Sequence, residues 1–182
     1  MEQKPSVLHE AESRPEPWLR GTLTKLPVEQ GAVVHALQLA REDIERWCGG
    51  LSHEELSARP FGLPPIAFEL RHIVGSLDRL LTYAEGRSLN DDQKKWMAEE
   101  MDGTIVREEL LAVFKRGLAT AEQRIQRIDM SQWAEPRGVG RKQLPTTVAG
   151  LLIHCADHTQ RHVGQVITTV KVLLALREQQ AS

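Results

Sequence analysis

The chain has 182 residues, 41% of them hydrophobic and 26% charged, which is enough for one well-buried core and too little for two comfortable domains. A formal net charge of -2 and a pI of about 6.4 leave no global basic field, so nucleic acid and anionic membranes are not expected partners. The two cysteines, Cys48 and Cys155, fall in segments that read as helical, are too few for a disulfide framework, and are expected to be reduced.

The opening residues, MEQKPSVLHEAESRPEPWLRG, hold acidic residues and Pro5, Pro15 and Pro17 without an apolar run. They predict an extended arm over 1–26, docked by Trp18 and Leu19, rather than a secretory signal. Apolar stretches elsewhere are interrupted before they reach a spanning length, so the expectation is a soluble cytoplasmic protein.

From Pro27 to about Trp47, the spacing of Val34, Leu37, Ala40, Ile44 and Trp47 predicts a first helix, stopped by Gly49 and Gly50. Ser52 followed by Glu55 is a capping-box pattern for a short helical turn in the next connection. A second helix is predicted from about Pro65 to Ala84, with Ile66, Leu70, Ile73, Leu77, Leu80, Leu81 and Ala84 as its apolar stripe and Gly86 at its end. The charged stretch 87–103 has room for a short surface helix around Trp96 and Met97 and is long enough to cover a site. A third helix, capped by Thr104, runs to about Ile128 with Ile105, Leu110, Leu111, Phe114, Leu118, Ala121 and Ile125 inward. After a turn containing Pro136, Gly138 and Gly140, the fourth and longest helix extends from Thr146 or Thr147 to about Arg177. Strand signals are almost absent, and the expected class is all-α, a four-helix bundle over 27–182.

The chemistry concentrates on the fourth helix. In LLIHCADHTQRHVGQV, His154, His158 and His162 recur every four residues and lie along one side of the helix, each step rising about 6 Å. Imidazoles on adjacent turns can converge on one transition-metal ion. By helical phase His158 and His162 form the more inward pair, and His154 lies furthest out. A third ligand has to come from another helix. His72 on the second helix is a candidate although its phase puts it at the flank of the stripe, beside Glu69 and Ser76; His35 on the first helix competes with it. His9 and His53 read as solvent groups.

These pieces together resemble the DinB/YfiT-like metalloenzymes. LSHEELSARPFGLPPIAFELRHIVGSLDRLL is similar to the family's first connection and second helix with its single histidine. LLIHCADHTQRHVGQV is similar to its closing signature of histidine, three residues, histidine and a Gly-Gln pair. The resemblance covers most of the chain from about residue 28. It implies a four-helix bundle, frequently a homodimer, with His72, His158 and His162 as ligands of one divalent metal ion and Gly164 and Gln165 completing the signature. The ion is expected to be zinc or nickel, with iron or manganese as alternatives. Members of known activity use the metal to activate a low-molecular-weight thiol in S-transfer or in maleylpyruvate isomerisation, and others are described as hydrolases.

Three histidines leave an open coordination position, as catalytic sites do, and a water or thiol bound there becomes a nucleophile. The expectation is a metal-dependent transferase or hydrolase acting on a small-molecule substrate, with His154 as candidate general base and Asp157 able to orient an imidazole if it faces inward. The competing reading is a non-catalytic metal-binding or stress-related scaffold, which gains if His154 or Glu69 closes the coordination shell. Trp18, Trp47, Trp96 and Trp133 are read as packing groups, and Arg71 and Arg161 as facing solvent or a partner.

Overall fold

The computed structural model describes residues 14–101 and 105–180. Pro5 and His9 of the arm and the Thr104 cap lie outside the described residues. In chain order the elements are α1 (Val28–Cys48), α2 (His53–Ser57), α3 (Ile66–Ala84), α4 (Asp91–Ala98), α5 (Arg107–Arg127), β1 (Pro136–Val139), β2 (Leu144–Thr147) and α6 (Val148–Gln180). The four long helices, α1, α3, α5 and α6, begin and end within three residues of the predicted bounds.

Local chemistry accounts for the short elements. Ser52 and Glu55 form the expected capping box on α2: the Glu55 N–H donates to Ser52 Oγ at 3.2 Å and the Ser52 N–H donates to Glu55 Oε2 at 2.8 Å. Asn90 and Gln93 do the same for α4, so a helix of only eight residues starts at a defined place over α3. Gly86, at a φ of 73°, takes the left-handed turn that ends α3 without the steric cost a Cβ would add.

Helix α3 packs on both α5 and α6, and α1 packs on the same two helices, so the four long helices enclose one core. Leu37, Ile44, Leu70, Ile73, Leu77, Leu118 and Ile125 are buried in it, matching the inward faces expected from their spacing, and Leu152 of α6 is buried with them. Cys48 and Cys155 are buried free thiols, and burial pushes both up to about 12, which keeps them protonated and unreactive near neutrality.

Two expectations are corrected. The arm does not dock through Trp18 and Leu19, which are exposed; Pro17 is buried instead, and Arg20 clamps Glu42 of α1 through paired bonds of 2.5 and 2.6 Å. A carboxylate fork held by a guanidinium fixes orientation better than one aromatic ring at a surface. The loop before α6 is not strand-free: β1 and β2 pair antiparallel, Pro136 opposite Thr147 and Val139 opposite Leu144. Each strand has four residues and includes a proline, so neither carries a readable alternation. The hairpin is pinned at its base, where Arg137 Nε donates to the Ala84 carbonyl at 2.9 Å and the Val148 N–H to the Glu135 carbonyl at 3.1 Å.

Arg124 joins α5 to α3 by donating to Glu85 Oε1 at 2.7 Å, Asp78 Oδ1 at 2.5 Å and Thr82 Oγ1 at 3.1 Å. Burial alone raises the Glu85 carboxyl, but hydrogen bonds from Arg124 and Arg87 outweigh it and hold the group below its ordinary value. A carboxyl depressed by folding contributes stability above its unfolded pKa and loses it as the pH falls through the folded value. Glu85→Gln is therefore expected to lower the denaturation midpoint at neutral pH, with the gap to wild type closing on acidification below the glutamate range. A gap constant with pH would mean that the charge of Glu85 contributes nothing.

Candidate metal centre

Helix α6 carries His154, His158 and His162 past the middle of α3. Cys155, Thr159, Val163 and Val166 bury one face of α6, which leaves His154, His158 and His162 at the edge of the core, the His154 side chain 45% exposed and the His162 side chain 16%. On α3, the flank that periodicity marks as a boundary turns out to face these histidines. Glu69 and Ser76 are buried and His72 is half-buried, three polar groups spaced along one side of the helix.

The imidazoles of His72, His158 and His162 meet there. Their ring centroids lie 4.4 Å apart for His158 and His162, 4.5 Å for His72 and His162, and 5.1 Å for His72 and His158. One nitrogen from each can be chosen so that all three fall within 4.8 Å of one another, a spacing that can hold a single ion. His154 is one ring further along, 5.3 Å from His158, and is not part of the triplet. His35, the competing third ligand, instead has its Nε2 3.0 Å from Thr22 Oγ1.

Two carboxylates hold the rings in place. His162 Nδ1 donates to Glu69 Oε2 at 2.5 Å, and His72 Nδ1 donates to Glu100 Oε2 at 2.8 Å. A carboxylate only accepts, so each contact puts the proton on Nδ1 and leaves the lone pair on Nε2, the arrangement that metal-binding histidines adopt. Glu69 is 1% exposed and is further held by Gln165, whose amide nitrogen, in the orientation that satisfies its neighbours, lies 3.1 Å from Glu69 Oε1. The same Gln165 nitrogen lies 3.2 Å from His162 Nδ1, so Gln165 sits against both the carboxylate and the ring that it holds. Glu100 also receives Arg79 Nη1 at 2.6 Å. Burial alone raises the Glu100 carboxyl, but His72 and Arg79 overcome that and keep it below its ordinary value. His158 is pushed down to about 4 by burial first and by its histidine neighbours second, so it is neutral near neutral pH with a nitrogen free to coordinate.

Asp157, considered as an orienting carboxylate, points outward: its Oδ2 accepts from Arg161 Nη2 at 2.8 Å and lies 3.4 Å from His154 Nδ1. Glu100 takes that role on His72, from the stretch between α4 and α5. Arg71 also departs from expectation. It is buried, with its guanidinium 5.2 Å from the centroid of Trp96, whose Nε1 donates to the Arg71 carbonyl at 3.2 Å. Trp96 is thereby a packing group that fastens α4 onto α3. Glu69→Gln is expected to weaken divalent-metal binding by roughly 10- to 100-fold with the helical content retained, because the His162 ring loses its charged anchor. Titration calorimetry with zinc measures this, and an unchanged affinity would mean the Glu69 contact does not orient His162.

The sequence profile of the DinB superfamily matches residues 36–166, a span that begins in α1 and ends on α6 just beyond the Gly164-Gln165 pair. The chain belongs to the DinB superfamily. A crystal structure of a conserved protein from Enterococcus faecalis shares the fold, with a TM-score of 0.68 at 16% identity over 82% of this chain and 99% of that one. No curated protein matches the sequence. Membership in the DinB superfamily and the three-histidine cluster fit a metal-binding protein, and no helix among the described residues is long and apolar enough to cross a membrane.

Proposed function

We propose that the chain is a divalent-metal enzyme of the transferase or hydrolase type, built on a four-helix bundle, in which His72, His158 and His162 hold the ion. The observation that carries this reading is the orientation of the rings: three convergent imidazoles, two of them backed at Nδ1 by the carboxylates of Glu69 and Glu100. A purely structural packing of histidines gives no reason to spend two carboxylates on that geometry.

A zinc or nickel ion, or alternatively iron or manganese, would supply positive charge that makes a water or a low-molecular-weight thiol nucleophilic near neutral pH. Glu69 and Glu100 fix which nitrogen of His162 and His72 faces the centre. His154 lines the cavity next to His158 and is the side chain available to take a proton from an incoming nucleophile, its Nε2 being free of Asp157. The scaffold alternative needs a fourth protein ligand. Glu69 is already engaged by His162 and Gln165, and His154 lies outside the triplet, which supports an open position. The same reading takes the protein to be a cytoplasmic homodimer acting on a small molecule.

Metal analysis of the tag-free protein, followed by cobalt(II) substitution, tests the proposal. About one ion per chain is expected, and adding a simple thiol such as mercaptoethanol is expected to produce a thiolate-to-cobalt charge-transfer band. No uptake of zinc, nickel or cobalt would overturn the metal centre. A cobalt spectrum indifferent to thiol and to pH would indicate a closed shell and favour the scaffold.

A further inference from the structure

Between α3, α4, the β-hairpin and α6 lies a cavity of about 940 Å³, with His158 and His154 among its walls. That volume is toward the upper end for a site holding one small organic molecule. Three cations line it, Arg79, Lys94 and Arg141, and no aspartate or glutamate does. Arg79 is committed to Glu100 and Ser76, and Lys94 holds only the exposed Asp91. Arg141 makes no hydrogen bond or ion pair among the described residues. It sits in the hairpin turn, whose base is tied to the end of α3 and to the start of α6, so the guanidinium is presented from an anchored element. Leu80 and Met97 add apolar wall to the same cavity.

We propose that this cavity is the binding site for a small organic acid, with the carboxylate taken by Arg141 and Lys94 and the apolar body lying along Leu80 and Met97 toward His158. Glu100 offsets Arg79 and the exposed Asp91 offsets Lys94 from outside the lining, but Arg141 faces the cavity with no acid paired to it among the described residues, which attracts an anion from solution and discriminates against the neutral analogue. A guanidinium without a partner among the described residues is available to a carboxylate, which it matches in shape as well as charge. The proposal deepens the metal-enzyme reading and rests on it only for which end of the ligand reacts.

The test is calorimetric titration of the full-length, zinc-treated protein with phenylbutyrate and with its neutral amide, phenylbutyramide, in wild type and in Arg141→Gln/Lys94→Gln, with zinc content measured in the same samples. The acid is expected to bind at least about tenfold more tightly than the amide, and the double variant to bring the acid down to the affinity of the amide at unchanged zinc content. Equal binding of acid and amide by wild type overturns the proposal. So does an acid preference that survives in the double variant, which would assign the carboxylate to the metal instead. If the protein holds no zinc, the metal centre fails, while the comparison of acid and amide on the metal-free protein still decides the role of Arg141 and Lys94.

Discussion

Replacing His158 by alanine is expected to take the protein from about one bound divalent ion per chain to a trace, while His154→Ala leaves the metal in place. His158 is the central ring of the row: it is 4.4 Å from His162, 5.1 Å from His72 and 5.3 Å from His154 between centroids. Without it, His72 and His162 remain as two ligands on different helices. The affinity loss should exceed the roughly 10- to 100-fold that follows removal of an outer partner such as Glu69, because a metal–nitrogen bond is lost outright. His154 is the control because it has the same residue type, the same helix and the adjacent turn. Its side chain is 45% exposed and its nearest charged neighbour is Asp157 on the solvent side. Elemental analysis and zinc titration of tag-free protein measure both variants, with circular dichroism to establish that each is folded. Full metal retention by the His158 variant, or equal loss from both, would remove the assigned ligand set.

How much of this centre is legible in the sequence depends on whether its parts are local. The row of His154, His158 and His162 is visible because one helix carries it, and helical phase ranks His154 as more open than His162, as it is in the fold, with side chains 45% and 16% exposed. The capping box of Ser52 and Glu55 and the stop at Gly86 are equally local, and both appear where expected. His72 is different. Hydrophobic periodicity locates the apolar stripe of α3 and treats everything beside it as boundary, so it cannot tell a flank that meets water from one that meets another helix's polar groups. The burial of Glu69 and Ser76 beside His72 exists only once α6 is docked. Glu100 leaves no sequence signal, since it reaches His72 across 28 residues of chain and comes from a charged stretch in which any glutamate would look alike. Arg71 departs from its expected place for a related reason: a charged residue off the stripe is expected in water, and here the face of Trp96 covers it.

The position of Glu100 depends in turn on a residue with no side chain. A Cβ built on Gly75 would stand 2.6 Å from both Cδ1 and Nε1 of Trp96 and 2.7 Å from Glu100 Oε1. The indole cannot simply turn aside, because its Nε1 donates to the Arg71 carbonyl and the Arg71 guanidinium covers its ring. Gly75→Ala is therefore expected to push α4 and the following turn away from α3, costing about 1–3 kcal/mol of stability through overpacking. It should also draw Glu100 off His72 and so lower zinc affinity by a further 10- to 100-fold or so, although residue 75 touches no ligand. Denaturant unfolding and zinc titration read the two effects separately. Coupling distinguishes this from generic damage: in Gly75→Ala/Trp96→Leu the smaller side chain leaves room for the new methyl, so the double variant should lose less than the sum of the singles. Strict additivity, or a Gly75→Ala protein with wild-type zinc affinity, would show that α4 does not hold Glu100 against the histidines.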